Sequence, residues 1–249
     1  MRMGLLVLMI AGCSQVHTAP VVSDTAQSEP EPLYIPGERA TWELRWLNVV
    51  MGKLTMAVGQ PGTVQGRPAI VVRMQAATAG VLAHVRKAKS ELAATLDTTS
   101  GQAIKTSGNI DGLFTGDVTR QGYRARRPGL RWRRYYNAYY LEWLGALGLV
   151  RAAWTGTLGQ LGFIPVSVRG RRYHLEMIAK KRERILSRKG PVNTVRIEGV
   201  LRNTGKGRHY PYVTWISDDD RRIFIRAKIQ SGWMGTVEAE LTGYSAWPK

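Results

Sequence analysis

The sequence predicts a mainly β fold: a single curved antiparallel sheet, open or half-barrel or sandwich-like, with one helix packed on its concave side. Three observations carry this expectation. Apolar residues recur with period two through most of the chain after residue 38, turn-forming clusters separate those runs, and one proline-free stretch alone keeps helical spacing.

Taken in order, the chain opens with Met1 to Cys13, one positive charge followed by an apolar run and small residues. The run is shorter than the about 20 residues that span a bilayer, so it reads as an export signal rather than a membrane helix. Ile10-Ala11-Gly12-Cys13 resembles the lipobox of bacterial lipoproteins. That resemblance implies cleavage before Cys13, acylation of the cysteine, and a boundary between a signal peptide over 1–12 and a mature chain. An ordinary signal with an incidental cysteine is the plainer alternative. Cys13 is the only cysteine of the chain, so no internal disulfide is available to compete for it. Several acyl chains, at about 0.8 kcal/mol per buried methylene, anchor a protein without a transmembrane helix. Ser14 in place of aspartate, by the enterobacterial sorting rule, favours the outer membrane facing the periplasm.

Residues 13–37 carry Pro20, Pro30, Pro32 and Pro36 among Ser, Thr, Glu and Ala without any period, and read as a tether. No comparable linker follows, so 38–249 reads as one domain. Within it Trp42, Leu44 and Trp46 alternate with polar neighbours, as do Leu54, Met56 and Val58, then Ile70, Val72 and Met74, then Leu92, Ala94 and Leu96. The pattern returns at Val195 and Ile197, at Ile223 to Ile229, and at Val237, Ala239 and Leu241. Asp97 to Gly101, Asn203 to Gly207 and Ser217 to Asp220 supply the turns, giving roughly ten strands. Tyr140, Trp143, Leu144, Leu147 and Val150 set the helix over 139–153, although Gly145 and Gly148 each cost it about 1 kcal/mol relative to alanine. Its apolar face suits either the hollow of a curled sheet or a membrane surface.

Gly37-Glu38-Arg39-Ala40-Thr41-Trp42-Glu43-Leu44, Met51-Gly52-Lys53-Leu54, the run from Trp215 to Ile223 and that from Gly235 to Leu241 resemble the bacterial envelope family DUF3108. The resemblance implies an exported protein or lipoprotein on a curved antiparallel sheet. It brings no catalytic residues.

The chain has 249 residues, a 44% hydrophobic share and 36 basic against 18 acidic residues, a formal charge of +18. That balance excludes disorder and favours polyanionic partners. The charge concentrates at Arg120, Arg124, Arg126, Arg127, Arg131, Arg133 and Arg134, interleaved with aromatic rings. Guanidinium groups pair with phosphate and rings lie at headgroup interfaces, so these seven are the candidate site for an anionic ligand, with solvated strand faces as the bland alternative. Behind an export signal the polyanions are anionic lipid, lipopolysaccharide or an acidic envelope polymer, and nucleic acid is not expected. Trp42, Trp46, Tyr140 and Trp143 are candidates for an apolar cavity, although each is large enough to be plain core. His17, His84, His174 and His209 show no metal-helix spacing, no nucleophile elbow is present, and Asp218-Asp219-Asp220 lacks the spacing of a calcium loop. The reading is therefore a non-enzyme without cofactor or metal. It is held to the membrane by its anchor and carries an amphipathic anionic ligand; a scaffold with a filled core, docking an acidic polymer or an envelope protein, is the alternative.

Overall fold

A computed structural model describes residues 33–85, 87–109, 113–119, 122–126, 133–136, 141–154, 156–159, 161–168, 171–205, 207–232 and 235–246. The chain runs through β1 (Arg39–Trp46), β2 (Val49–Val58), β3 (Gly62–Val64), β4 (Arg67–Thr78), α1 (Val81–Val85), β5 (Lys89–Asp97), β6 (Ala103–Asn109), β7 (Leu113–Thr119), β8 (Gly122–Arg126) and β9 (Arg133–Tyr136). It continues through β10 (Leu141–Glu142), α2 (Trp143–Ala152), β11 (Leu161–Val168), β12 (Arg171–Ser187), β13 (Gly190–Asn203), β14 (His209–Ser217), β15 (Phe224–Gln230) and β16 (Thr236–Ser245). One sheet takes them all, in the order β10-β11-β12-β13-β14-β15-β16-β1-β2-β4-β5-β6-β7-β8-β9, with β3 added on β4. The first and last strands meet in its middle, where β16 pairs with β1. The sheet curls so far that Cα atoms of β9 come within 8 Å of β12, yet it stays open.

The expected curved sheet and concave helix are both present, and the details depart in three ways. The helix begins at Trp143 rather than 139, because Leu141 and Glu142 are drawn into a parallel pair with Val166 and Ser167. Parallel strands need a crossover, and α2 is that crossover between β10 and β11. A second helix, α1, buries no residue, so it gives no apolar period to read. The strands outnumber the ten expected, since short ones such as β3 and those of the arginine-rich stretch, β7 to β9, carry no clean alternation.

Alternation placed the core well. Ile70, Val72, Met74, Leu92, Ala94 and Leu96 are buried together on the concave face with Trp42, Met56, Val195 and Ile197. The opposite face carries cross-strand polar rows: Arg196, Trp215, Arg226, Glu240, Glu43 and Lys53 stand opposite one another on six successive strands. Arg226 donates to Glu240 at 2.7 Å and Trp215 to Glu183 at 2.8 Å, while Arg188, at the tip of the β12–β13 hairpin, reaches Glu43 across 145 residues. Half-exposed pairs of this kind contribute about 0–1 kcal/mol each and chiefly fix register.

Helix α2 lies against the connection between β5 and β6. Its two glycines, which weaken it as an isolated helix, are what let it approach. A Cβ on Gly148 would stand 2.8 Å from the Tyr34 ring and 3.1 Å from Leu33, and one on Gly145 would collide with the carbonyl of Gly101. Backbone cannot yield as a side chain can. Gly145→Ala is therefore expected to destabilise by about 1–3 kcal/mol in denaturant unfolding, against the about 1 kcal/mol that helix propensity alone would add. A stabilised variant would contradict this packing.

His174 is buried against Phe163, with ring centroids 4.5 Å apart. Burial lowers its pKa below the ordinary 6.5, and the Glu176 carboxylate offsets only part of that. Below that value the unfolded chain takes up a proton the folded chain resists, so stability falls as pH drops from 7 towards 5. Melting curves across that range should flatten in His174→Gln; an unchanged slope would assign the dependence elsewhere.

Candidate functional site

Strand directions give the curled sheet two ends. The connections β5–β6, β12–β13 and β14–β15, together with the start of β1, gather at one end; the connections β1–β2, β4–β5, β13–β14, β15–β16 and β8–β9 gather at the other. Helix α2 stops the first end, and the clamp that holds it there is polar.

Glu38 and Arg151 are both buried, at 1% and 5% side-chain exposure, and Arg151 Nη1 donates to Glu38 Oε2 at 2.8 Å. Arg151 Nη2 donates to the Arg221 carbonyl at 2.7 Å, and the guanidinium lies 5.5 Å from the centre of the Tyr34 ring. Tyr34 in turn donates to the Leu144 carbonyl at 2.6 Å. Arg222 Nη1 donates to the carbonyls of Arg151 and Ala152, at 3.2 and 3.5 Å, satisfying acceptors that a helix C-terminus leaves open. The turn that presents these groups is built by its own side chains. Asp219 accepts the Ser217 hydroxyl at 2.7 Å and the Arg221 and Arg222 amides, while Asp218 takes Arg182 at 2.8 Å. Two of the three aspartates are thus committed to the turn and its flank. Burial, followed by the neighbouring Glu38 charge, holds the Tyr244 phenol above its ordinary pKa beside the same pair.

Below the plug the described side chains do not fill the concave face. An apolar groove of about 160 Å³ runs between α2 and the sheet. Protein interiors rarely leave a void larger than a water molecule, and an apolar cavity of about 150 Å³ accommodates benzene. Trp143, Leu147 and Val150 roof it; Trp42, Leu54, Met56 and Met74 form one wall, and Leu175, Leu201 and Tyr212 the other. Leu54, Leu147, Tyr212, Ala227, Val237 and Ala239 face inward yet are only half-buried, the mark of a concavity that the described side chains do not close. Burial raises the Tyr212 phenol above its ordinary pKa, with the Glu176 charge acting in the same sense, and its hydroxyl donates to the Glu176 carbonyl at 3.2 Å. The wall is therefore neutral here. Ile229, Ser231 and Val237, beside the β15–β16 turn, carry the groove to the unplugged end.

The structure divides the residues singled out from the sequence. Trp42 and Trp143 line the groove, and Trp42 Nε1 donates to the Phe224 carbonyl at 2.8 Å. Trp46, half-buried at the end of β1, is not among the described residues of the groove wall, and Tyr140 lies outside the described residues. Arg124 and Arg126 belong to β8, and Arg133 and Arg134 to β9; Arg120, Arg127 and Arg131 lie outside the described residues, as does Cys13. Arg126 closes β8 and Arg133 opens β9, so both stand at the unplugged end, where the groove runs out. Among the described residues no group of acidic, histidine or cysteine side chains is placed to hold a metal ion. Glu38 and Arg151 were missed as a site, since a glutamate in a glycine turn and an arginine ending a helix look ordinary apart.

The profile of DUF3108, a family described as proteins of unknown function, matches residues 39–242. The chain belongs to DUF3108. Two of the four segments that carry the family likeness, Gly37 to Leu44 and Trp215 to Ile223, meet at Arg151 in this DUF3108 chain. Among solved structures, the β-barrel-like protein of DUF1849 from Brucella abortus shares the fold at a TM-score of 0.61 and 7% identity, over 87% of this chain and all of that one. Two others overlap less well: an exported protein with a YmcC-like fold from Bacteroides fragilis (TM-score 0.38, 9% identity, 85% of this chain and 97% of that one) and a protein described as a lipoprotein from Parabacteroides distasonis (0.40, 8%, 88% and 100%). No curated protein shows a significant match.

Truncating Glu38 to alanine leaves Arg151 buried without its counter-charge and is expected to cost about 3–5 kcal/mol in urea unfolding, whereas Glu38→Leu with Arg151→Met should recover most of that loss. If the single and double replacements unfold alike, the pair is not what holds the helix.

Proposed function

We propose that this protein is a lipid-anchored component of the bacterial cell envelope that binds an amphipathic anionic lipid without transforming it. The acyl chain lies in the concave groove and the headgroup sits at the unplugged end. The unfilled apolar groove carries this reading. Half-burying Leu54, Leu147 and Val237 forgoes about 1 kcal/mol at each relative to full burial, and an acyl chain lying along them recovers that contact. The groove is smaller than the about 300–1,000 Å³ of a site that encloses a drug-sized ligand, so it accommodates part of one chain while the remainder and the headgroup emerge at the rim. There Arg126 and Arg133 end their strands, and guanidinium groups favour phosphate. The envelope address rests on the export signal, Cys13 and the proline-rich tether; the outer membrane follows from Ser14.

The modest groove favours one second reading, a scaffold that docks an acidic envelope polymer or a protein partner and carries nothing inside. One experiment separates the two. Anionic phospholipid with a brominated acyl chain is titrated into the purified protein while tryptophan fluorescence is followed. Lipid in the groove quenches Trp42 and Trp143, so Trp42→Phe with Trp143→Phe removes most of the quenching, and Ala239→Phe, which fills the groove, weakens binding at least tenfold. Quenching that is absent from the parent protein, or unaltered by Ala239→Phe, excludes the carrier and leaves the scaffold.

A further inference from the structure

The unplugged end also carries an apolar rim. Among the described residues the four most exposed large apolar side chains are Val85, Leu186, Leu47 and Val81, at 79%, 74%, 72% and 65% exposure. Leu186 stands apart, at the tip of the β12–β13 hairpin. The other three occupy two neighbouring connections at the mouth: Leu47, with Val49 beside it at 43%, in the β1–β2 turn, and Val81 and Val85 on α1. Those connections are tied together, since the Ala79 amide donates to the Met51 carbonyl at 3.0 Å. The turn itself is tightly built, with Leu47 and Asn48 both at positive φ, 49° and 63°. Leucine is an unusual choice for such a position, and here it projects into solvent. Helix α1 buries nothing of its own, so the fold does not account for its two valines.

Exposed basic residues stand at the same end: Lys87 and Lys89 follow α1, and Arg208 lies at the β13–β14 turn. The described acidic groups near this end are mostly paired: Glu176 with Arg202 at 2.8 Å, Glu198 with Arg196 at 2.6 Å and Glu238 with Lys228 at 3.1 Å, while Glu91 is half-buried on β5. Apolar tips flanked by exposed lysines match the interface of an anionic bilayer, where the tips enter the headgroup boundary and the lysines meet phosphate.

We infer that the rim formed by Leu47, Val49, Val81 and Val85 docks on the surface of an anionic lipid bilayer, holding the mouth of the groove against the membrane. The tether permits this. From Cys13 to Leu33 is 20 residues, which can reach about 65 Å, while the longest strand, β12 with 17 residues, spans about 55 Å at about 3.3 Å per residue. The chain leaves the plugged end at Leu33, so an anchored molecule can turn its mouth to the membrane that holds it. The inference rests on the envelope reading for the choice of membrane, and it does not require the groove to be occupied.

The test uses the full-length, membrane-extracted protein in vesicles of phosphatidylethanolamine and phosphatidylglycerol. A polarity-sensitive fluorophore is attached at Val85→Cys or Val49→Cys, or at Thr99→Cys on the plugged end, and nitroxide-labelled lipid serves as quencher. The parent protein without an added cysteine reports any labelling at Cys13 and so tests the anchor separately. Docking predicts a blue shift and at least twofold quenching at 49 and 85 with neither at 99, together with loss of quenching in pure phosphatidylcholine or when Leu47→Ser and Val81→Ser are combined. Equal signals at both ends, no quenching at 49 and 85, or quenching that survives the serine replacements would overturn the inference. So would a concentration-dependent dimer in sedimentation that shields position 85 from lipid, since the rim would then belong to a second copy of the chain.

Discussion

The Glu38–Arg151 ion pair joins the three parts of the chain that must meet for the concavity to exist. Glu38 stands just before the first strand, Arg151 ends the crossover helix, and the Arg221 carbonyl that completes the guanidinium's hydrogen bonding belongs to the β14–β15 turn, 70 residues further on. Burying two charges costs several kcal/mol each before their attraction and hydrogen bonds return it, so the pair is poor as a source of stability and good as a source of position. An apolar contact would let α2 slide along the sheet. A bidentate donor with two fixed acceptors does not. The glycines of α2 act in the same sense from the other side, setting how close the helix comes to the β5–β6 connection and hence how much of the hollow beneath it stays open.

That division of labour explains why one end of the barrel is closed and polar and the other open and apolar. Glu43, Glu183, Glu198, Glu238 and Glu240 pair with lysine or arginine on the outer face, where they hold strand register.

Much of the sheet was legible in the sequence because alternation reports which face of a strand meets apolar surroundings; β4 and β5 could be read almost residue by residue. The pattern is silent on whether an inward-facing residue meets another side chain or a void, so Leu54, Val237 and Ala239 looked like core and proved to be wall. Trp42 and Trp143 were recognisable as aromatic residues of the concave side, while the rim was not, since it depends on which connections share an end and hence on strand order. The helix glycines read locally as a weakness, and only the approach of Gly101 and Tyr34 shows their use. The clamp left no periodic trace at all, being three separate segments whose meeting is a property of the fold.

The account turns on the groove being a site for lipid rather than a packing defect. The most direct measurement is the native mass of the protein released gently from its own envelope, before any lipid is added. The account predicts one non-covalent anionic lipid per chain, lost when Ala239→Phe fills the groove. A chain that carries its covalent anchor and nothing else, in both proteins alike, would contradict it.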